Sequence, residues 1–316
     1  MEQRDRSRSS VGIAIVNWNA GAQLRECLSS IDAASWDAVT LTGVVIVDNA
    51  SSDRSLDHLP STTGVPLRII RNRANRGFGA ACNQAAAVLE ADYLLFLNPD
   101  AVLQRDSIPA TVAWLDDPGH AKYGIAGIQL VDKRGVVSRS CSRFPTWRSM
   151  LTKVLGLDRL IPVLFSGYVM EEWDHLQSRD VDHVIGAFYM VRTGVFRALR
   201  GFDEAFFVYF EDLDFSRRAA DAGWRSRYLT EIRAFHKGGG TSEQIKSRRL
   251  FYSLRSRLVY ARKHFSPAGA ALIAVSTLAI EPFIRMASCV LGGSPTGLRE
   301  TLAAYRLLWT AARGTS

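Results

Sequence analysis

Cysteine is scarce in this chain of 316 residues, which contains only Cys27, Cys82, Cys141 and Cys289. No two of them form a CxxC pair, so we expect neither a zinc site nor a framework of disulfides. Reduced thiols are typical of cytoplasmic proteins, and we expect the chain to be located there.

Long apolar runs are also missing. The first ten residues, MEQRDRSRSS, are polar and charged, and the apolar run after them is short, so we expect no signal peptide. Near the other end, residues 268–280 are apolar, but Glu281 and Pro282 follow directly. A membrane-spanning helix needs about 20 residues. The sequence therefore predicts that this stretch does not span a membrane.

The positive charge is confined to one part of the chain. The formal net charge is +8, yet residues 237–316 carry 12 Lys and Arg against 3 Asp and Glu. The preceding 236 residues carry 27 basic and 28 acidic groups. A basic tail suits nucleic acid, an anionic membrane or a partner protein, and the alternative is a solvated helical surface.

Continuous apolar runs alternate with helical patterns in the first 100 residues. Such runs are typical of parallel strands that are covered on both faces, so the alternation predicts a doubly wound α/β sheet. The expected strands lie in 11–19, 41–53, 66–72 and 93–100, and the expected helices in 21–34, 53–59 and 78–90.

Polar residues end each expected strand. Parallel strands bring their carboxyl ends to one edge of a sheet, where open α/β sheets bind ligands. We therefore expect one shared site, although independent turns remain the alternative, since Asn, Pro and Asp are also turn residues. The strand-end residues are Asn17 and Asn19, Asp48 and Asn49, Asn72, and Asn98 and Asp100.

The second half is less regular. Residues 141–180 lack clear periodicity and predict a long, partly mobile loop over the site, in which Trp147 and Trp173 are candidates for stacking on a sugar. The other expected elements are a strand pair in 124–137, a strand and helix in 181–199, a helix from Glu211 to Ala222, and strands in 224–242.

Seven segments occur in an order that resembles family 2 glycosyltransferases: VVIVDNASSD, NRGFGAACNQ, LLFLNPD, VIGAFYMVR, GFDEAFFVYFEDLDFSRR, AGW and FHKGGGTS. The NPD segment in place of DxD resembles a branch with many rhamnosyltransferases. The resemblance covers about residues 11–260. It implies a GT-A fold over 1–245, with a nucleotide-sugar half at about 11–122 and an acceptor half at about 123–245. A basic helical region over 246–316 follows.

The resemblance implies a metal site. It assigns a bound Mg²⁺ or Mn²⁺ to Asp100 and, as a second ligand, to His236. A cation there would stabilise the charge that develops on a leaving diphosphate. Asn98 departs from the DxD pattern and is uncharged, which weakens the expectation of tight metal binding. Lys237 is a candidate for a phosphate contact, and a surface or core role for His236 is the alternative.

The resemblance also implies which residues contact the nucleotide. The resemblance implies that Asp48 accepts a hydrogen bond from the imide N–H of uracil or thymine, while helix capping is its alternative role. Further candidates are Asn17 in the same pocket, Arg76 and Gly77 beside the nucleotide, and Gly186 and Ala187 under the donor sugar.

The pair Glu211-Asp212 is the candidate for the catalytic base. A carboxylate can accept the proton of an acceptor hydroxyl, and a helix N-terminus favours its ionised form. The alternative is that acidic residues simply belong in a first helical turn. The resemblance assigns the base to Asp212, with Glu211 in reserve. Asp214 is better explained as a helix ion pair with Arg217 and Arg218.

These expectations describe an inverting glycosyltransferase. The expected donor is dTDP-L-rhamnose, and the expected acceptor is a saccharide or lipid-linked saccharide of cell-surface polysaccharide synthesis. A UDP-sugar-dependent hexosyl or galactofuranosyl transferase is the alternative. A nucleotidyltransferase would need no base at an acceptor pocket, and a non-catalytic sugar-binding module would not need Asp100, Asp212 and His236.

The tail predicts a peripheral contact with the inner face of the plasma membrane, and no contact with nucleic acid. Residues 245–265 form a basic amphipathic pattern beside the apolar stretch 268–280, which suits a membrane surface. The expected membrane contacts, outside the donor site, are Arg248, Arg249, Arg255 and Arg257. Packing on the body or an oligomer contact, including a homodimer, is the alternative.

Overall fold

The computed structural model describes residues 8–57, 59, 66–161, 167–238 and 245–313. The strands are β1 Ser10–Asn17, β2 Thr40–Asp48, β3 Leu67–Arg71, β4 Tyr93–Leu97, β5 Ala101–Leu103, β6 Tyr123–Val131, β7 Cys141–Ser142, β8 Arg179–Val181, β9 His183–Val184, β10 Phe188–Arg192 and β11 Arg225–His236. The helices are α1 Ala22–Asp32, α2 Phe78–Ala86, α3 Ser107–Asp116, α4 Trp147–Leu155, α5 Leu157–Leu160, α6 Thr193–Ala198, α7 Glu211–Asp221, α8 Lys246–His264, α9 Pro267–Val275, α10 Glu281–Leu291 and α11 Pro295–Arg313.

Nine strands form one mixed sheet in the order β3-β2-β1-β4-β10-β6-β11-β5, and β8 pairs with β11. The first four strands of this order are parallel, as the sequence predicts. β10 enters antiparallel between β4 and β6 and joins the two halves of the sheet. A separate pair, β7 and β9, lies beside it.

Both faces of the sheet are covered. Successive side chains of β1 point in opposite directions, so Ile13 and Ile15 pack in one apolar cluster with Leu24 of α1. Ala14 and Val16 pack in the other cluster, which contains residues of α2 and α7. This burial on two sides explains why β1 lacks the alternation of polar and apolar residues that a half-exposed strand would show.

The helix expected over 53–59 does not form in the described part of that range, where residues 53–57 make turns. Polar side chains bind the backbone donors that a helix would use. Asn19 Oδ1 accepts hydrogen bonds from the backbone N–H groups of Ser52 and Asp53, and Asp53 Oδ1 accepts one from that of Ser55. The bond between Ser55 and Asp53 is local, and such bonds compete with helix formation. Asn19 instead holds the segment from 33 and 34 residues away in the chain.

The loop expected over 141–180 contains a helix, and this expectation was wrong for α4. The signal was a capping box, in which Thr146 Oγ1 accepts from the backbone N–H of Ser149 and Ser149 Oγ accepts from that of Thr146. Residues 162–166 lie outside the described residues. In the expected strand pair 124–137, only a single bridge joins Val131 to Val137 after β6.

The C-terminal helices pack on the body of the chain. Tyr260 of α8 and Ile273 of α9 share a buried cluster with Phe206, Phe210 and Leu213. The expectation that the apolar stretch is too short to span a membrane needs correction. α9 continues through a π-helical segment into α10, so that one helix of 25 residues, Pro267–Leu291, is long and apolar enough to cross a bilayer.

One buried carboxylate joins α7 to α8. Asp214 is fully buried, and its oxygens lie 2.8 Å from Arg218 Nε, 2.8 Å from Lys263 Nζ and 2.7 Å from His264 Nε2. The expected helix pair with Arg218 is present, whereas Arg217 pairs with Asp221 instead. Burial alone would raise the pKa of Asp214, but the surrounding donors and positive charges lower it below its usual value.

Candidate active site

Strand pairing brings Asp100 and His236 together. β5 pairs antiparallel with the end of β11, so that Ala101 lies opposite His236. Asp100 Oδ1 is therefore 3.3 Å from His236 Nε2, and each side chain is only 10% exposed. Asn98 is fixed just before them, since its backbone N–H donates to the carbonyl of Ala187 at 3.0 Å.

A cavity of about 400 Å³ opens above these residues. Asn98, Asp100 and His236 line one side, and Asn49 also lines the cavity, so two of the four expected strand ends, those of β2 and β4, meet at one cavity. We call this the donor cavity. Its other lining residues include Trp18, Asn75, Gly77, Phe207 and Tyr209.

Asn17 and Asp48 lie next to this cavity but do not line it. Asn17 Nδ2 donates to Asp48 Oδ1 at 2.8 Å and to Ser55 Oγ at 2.8 Å, and all three residues are buried. The neighbouring Asn49 reaches the cavity instead, with its Nδ2 bonded to the carbonyl of Gly77. The predicted contact of Asp48 with a base stays a prediction.

Gly77 has a structural reason to be glycine. Its φ is +90°, and a Cβ there would overlap the carbonyl oxygen of Phe207, which accepts a hydrogen bond from the N–H of Phe78. Two other predicted contacts fall outside the cavity lining. Arg76 and Lys237 are both exposed, although the backbone N–H of Lys237 donates to the carbonyl of Asp100.

A second cavity of about 750 Å³ adjoins the first, and we call it the acceptor-side cavity. Gly186, Ala187, Glu211 and Asp212 line it, as do Arg139 and Lys246. The two cavities share the lining residues Phe78, Asn98, Val208, Tyr209 and Arg249. A ligand that crosses this boundary could therefore reach from Asp100 towards Asp212.

Asp212 is held in its ionised form. Its Oδ2 accepts from the backbone N–H of Gly186 and its Oδ1 from that of Leu213, both at 2.8 Å. His183 Nε2 lies 3.3 Å from Oδ2, at an angle outside hydrogen-bond geometry. Burial opposes the charge, but the His183 imidazole and the two backbone donors outweigh it and lower the pKa of Asp212.

Glu211 behaves in the opposite way. It is buried, and its Oε2 has no hydrogen-bond partner among the described residues. Burial, followed by the negative charge of Asp212, raises the pKa of Glu211 well above its usual value. Because the two pKa values shift in opposite directions, Asp212 ionises at a lower pH than Glu211, and the first negative charge of the pair lies on Asp212.

The turn before these two acids is strained. Tyr209 and Phe210 have φ values of +67° and +71°, in the left-handed region that aromatic residues rarely adopt. Phe210 packs against Tyr260 of α8, with ring centroids 5.5 Å apart. This packing holds the strained turn, so that α7 begins with Glu211 and Asp212 facing the acceptor-side cavity.

The two tryptophans expected to stack on a sugar line neither cavity. Trp173 stacks instead on His175, with ring centroids 4.1 Å apart, and packs edge-on against Tyr228. Trp147 begins α4 and packs beside Gly269 of α9.

Sequence reasoning missed several residues of the site. His183 lies three residues before Gly186 in the same segment, and its place in VDHVIGA was the available signal. Arg248 and Arg249 line the donor cavity, whereas the sequence assigned them to a membrane surface. Arg257, assigned to the same surface, is buried and paired with Glu281, because α10 packs against α8 through this ion pair. Only Arg255 of that group is exposed and outside both cavities.

Comparison with known proteins defines the class. The model of glycosyl transferase family 2 matches residues 12–166, and that of glycosyl transferase family group 2 matches residues 93–258, more than half of the chain. The chain belongs to the family 2 glycosyltransferases.

Its similar relatives include rhamnosyltransferases. The N-acetylglucosaminyl-diphospho-decaprenol L-rhamnosyltransferase of Mycobacterium tuberculosis is 27% identical over 71% of this chain and 75% of its own length. Rhamnosyltransferase WbbL of Escherichia coli is 27% identical over 59% of this chain and 71% of its own. A mannosyltransferase structure from Pyrobaculum calidifontis, in complex with GDP-Man and Mn²⁺, matches 97% of this chain and 76% of its own with a TM-score of 0.55 at 17% identity. The expected GT-A fold is confirmed.

The residues of the donor cavity fit a divalent cation. The described residues contain no group of three or more His, Cys, Asp or Glu side chains that could hold a metal. Asp100 and His236 would supply two ligands, and Mg²⁺ in such sites takes its remaining ligands from substrate phosphates and water. The fit therefore depends on a diphosphate in the same cavity.

The opposite protonation of the two acids can be tested. We expect a protonated carboxyl signal in the infrared spectrum at neutral pH, lost in Glu211→Gln and retained in the control Asp221→Asn. Because the folded pKa of Glu211 is raised, it contributes stability below its unfolded pKa that is lost as pH rises through the folded pKa. Glu211→Gln should flatten this decline in thermal melts. A wild-type spectrum without the signal would contradict the assignment.

Proposed function

We propose that this glycosyltransferase moves L-rhamnose from dTDP-L-rhamnose, with inversion, to a saccharide or lipid-linked saccharide acceptor. Two relatives named rhamnosyltransferases support the donor sugar, and the name of one of them contains a diphospho-decaprenol. The product would enter the synthesis of a cell-surface polysaccharide. Cytoplasmic work at the inner face of the plasma membrane fits this substrate, and Cys27, Cys82, Cys141 and Cys289 are all free thiols.

One observation carries the proposal: an ionised carboxylate that is only 16% exposed faces a cavity that adjoins the cavity of Asp100 and His236. In the reaction, Asp212 accepts the proton of the acceptor hydroxyl as that oxygen attacks the anomeric carbon. The attack comes from the side opposite the leaving diphosphate, which inverts the configuration. The raised pKa of Glu211 makes its carboxyl harder to ionise than that of Asp212, and this favours Asp212 over the reserve candidate.

The chain's other residues position the reactants. The backbone N–H of Gly186 holds Oδ2 of Asp212, and a Cβ at Gly186 would lie 3.4 Å from that oxygen. A larger side chain would therefore fill space between the base and the donor sugar. The neutral amide of Asn98 lies at the boundary of the two cavities, where it suits a sugar hydroxyl.

The role of Asp212 predicts a large and selective loss. Asp212→Asn should lower transfer from dTDP-L-rhamnose by about 100- to 10,000-fold, because general base catalysis contributes that much. Binding of the donor should stay unchanged, since the carboxylate acts on the acceptor. Release of nucleoside diphosphate from a panel of dTDP- and UDP-sugars measures transfer. Calorimetry measures binding of the donor.

The matched control for this change is Asp221→Asn, at the exposed end of the same helix, and it should keep full activity. Near-normal turnover of Asp212→Asn would remove this residue from the mechanism. Turnover with a UDP-sugar alone would replace the proposed donor and leave the base in place.

We also propose that Asp100 and His236 hold Mg²⁺ or Mn²⁺, which would act as a Lewis acid on the leaving diphosphate. EDTA should then stop transfer, and added Mg²⁺ or Mn²⁺ should restore it. Asp100→Ala should weaken donor binding as well as turnover, whereas Asp106→Ala, an exposed acid before α3, should change neither. Full activity in chelator would leave Asp100 as a polar contact without a metal.

The membrane contact is proposed for an apolar face of the C-terminal helices. Exposed side chains recur along the helix Pro267–Leu291, and Arg299 and Arg306 are exposed on the neighbouring α11. Glu281 lies buried in the middle of the apolar helix, paired with Arg257 and Arg285, which favours a helix that lies on the membrane over one that spans it. The exposed apolar side chains are Leu272, Val275, Ile280, Phe283, Val290 and Leu291.

Flotation with liposomes tests this surface. Phe283→Glu should weaken binding to anionic vesicles roughly 30-fold, because burying a Phe side chain is worth about 2 kcal/mol. Val136→Glu, at an equally exposed apolar position far along the chain, is the control and should bind as the wild type does. Absence of wild-type binding to any vesicle, or equal binding of Phe283→Glu, would favour a packing or oligomer contact.

A further inference from the structure

Two arginines of the first turns of α8 face the donor cavity. Arg248, Arg249 and Tyr252 line this cavity, as do Asp100 and His236. Arg249 also lines the acceptor-side cavity, whereas Arg248 lines only the donor cavity. Arg249 therefore lies at the boundary between the two.

Neither guanidinium is neutralised within the part of the chain that the structure describes. Both side chains are exposed to solvent, and no described carboxylate forms an ion pair with them. Arg257, roughly two and a half turns further along the same helix, is instead buried and paired with Glu281. The two positive charges at the cavity are thus available to an anionic ligand.

The start of α8 is anchored where these arginines lie. The ring of Tyr252 stacks on that of Phe207, with centroids 4.5 Å apart and planes 23° apart. Ser256 Oγ donates to the carbonyl of Val208 at 2.8 Å. The carbonyl of Phe207 accepts a hydrogen bond from the backbone N–H of Phe78. The backbone can approach this closely because Gly77 has no side chain. These contacts hold the start of α8 against the turn at Phe207 and Val208, so that Arg248 and Arg249 line the donor cavity.

The cavity otherwise supplies little positive charge for a diphosphate. Asn98 is neutral, and the side chain of Lys237 does not line the cavity. Two ligands, Asp100 and His236, leave a metal with a single protein carboxylate. A planar guanidinium can bind phosphate oxygens through two parallel hydrogen bonds, which an ammonium group cannot do.

We propose that Arg248 and Arg249 bind the diphosphate of the donor, and that Arg249 stabilises it as it leaves. This inference rests on the proposed function. In the transfer, the bond between the anomeric carbon and the phosphate oxygen breaks, and its electron pair stays on that oxygen. The acceptor oxygen forms the new bond and gives its proton to Asp212. Arg249 lines both cavities and so places a positive charge at the boundary where that negative charge develops.

The position of each arginine predicts a different kinetic effect. Arg248 faces only the donor cavity, so Arg248→Gln should mainly raise KM for the donor. Arg249 faces the reacting bond, so Arg249→Gln should mainly lower kcat, since it removes an interaction that strengthens in the transition state. Arg249→Lys keeps the charge without the paired hydrogen bonds and should fall between wild type and Arg249→Gln.

Calorimetric titration with dTDP and UDP, and with thymidine and uridine, tests the contact in the presence of Mn²⁺. Each Gln variant should lose about 10- to 100-fold in affinity for the nucleoside diphosphate that the wild type binds, as expected for a charge-assisted hydrogen bond. Affinity for the nucleoside should not change. Arg255→Gln, on the same helix but outside both cavities, is the matched control and should behave as the wild type.

The outcomes separate this inference from the proposed function. If the wild type binds a nucleoside diphosphate and transfers sugar, while both Gln variants match Arg255→Gln in affinity and kcat, the arginine assignment is wrong and the proposed function stands. If the wild type neither binds a nucleoside diphosphate nor transfers a sugar, both fail. Thermal melting of each variant confirms that a loss of affinity does not come from unfolding.

Discussion

The buried carboxylate of Asp214 fixes the geometry on which the site depends. It lies one turn into α7 and binds Lys263 and His264 of α8 as well as Arg218 of its own helix. A carboxylate with no exposure is stable only if its charge is compensated, and here the compensation comes largely from another helix. α7 and α8 are thereby locked together, and the residues at their starts face one pair of cavities.

A second constraint acts at the turn between the halves of the site. Gly77 lets the backbone of Phe207 approach closely, and the strained pair Tyr209 and Phe210 leads into α7. The stack of Tyr252 on Phe207 ties α8 to the same turn. Since Tyr209 lines both cavities, a shift of this turn would move the donor wall and the catalytic acids together.

The sequence predicts well those features that are local or repeated. The parallel strands and the polar strand ends follow from patterns that each occupy a few residues. The approach of Asp100 to His236 is not local, and only the family resemblance implied it. The position of α8 could not be predicted, because it depends on contacts between distant residues such as Asp214 and His264. A basic helix was therefore assigned to a membrane surface by its charge alone, although its first turns face the donor cavity.

The charges around Asn98 explain why a neutral side chain suits that position. Asp100 and the ionised Asp212 already place negative charge on both sides of the cavity boundary, where an anionic donor would have to bind. A carboxylate in place of Asn98 would add a third negative charge and would repel the anionic donor, unless a metal ion compensated that charge. The neutral side chain avoids this, and the unpaired guanidinium of Arg249 at the same boundary shifts the local balance towards binding an anion.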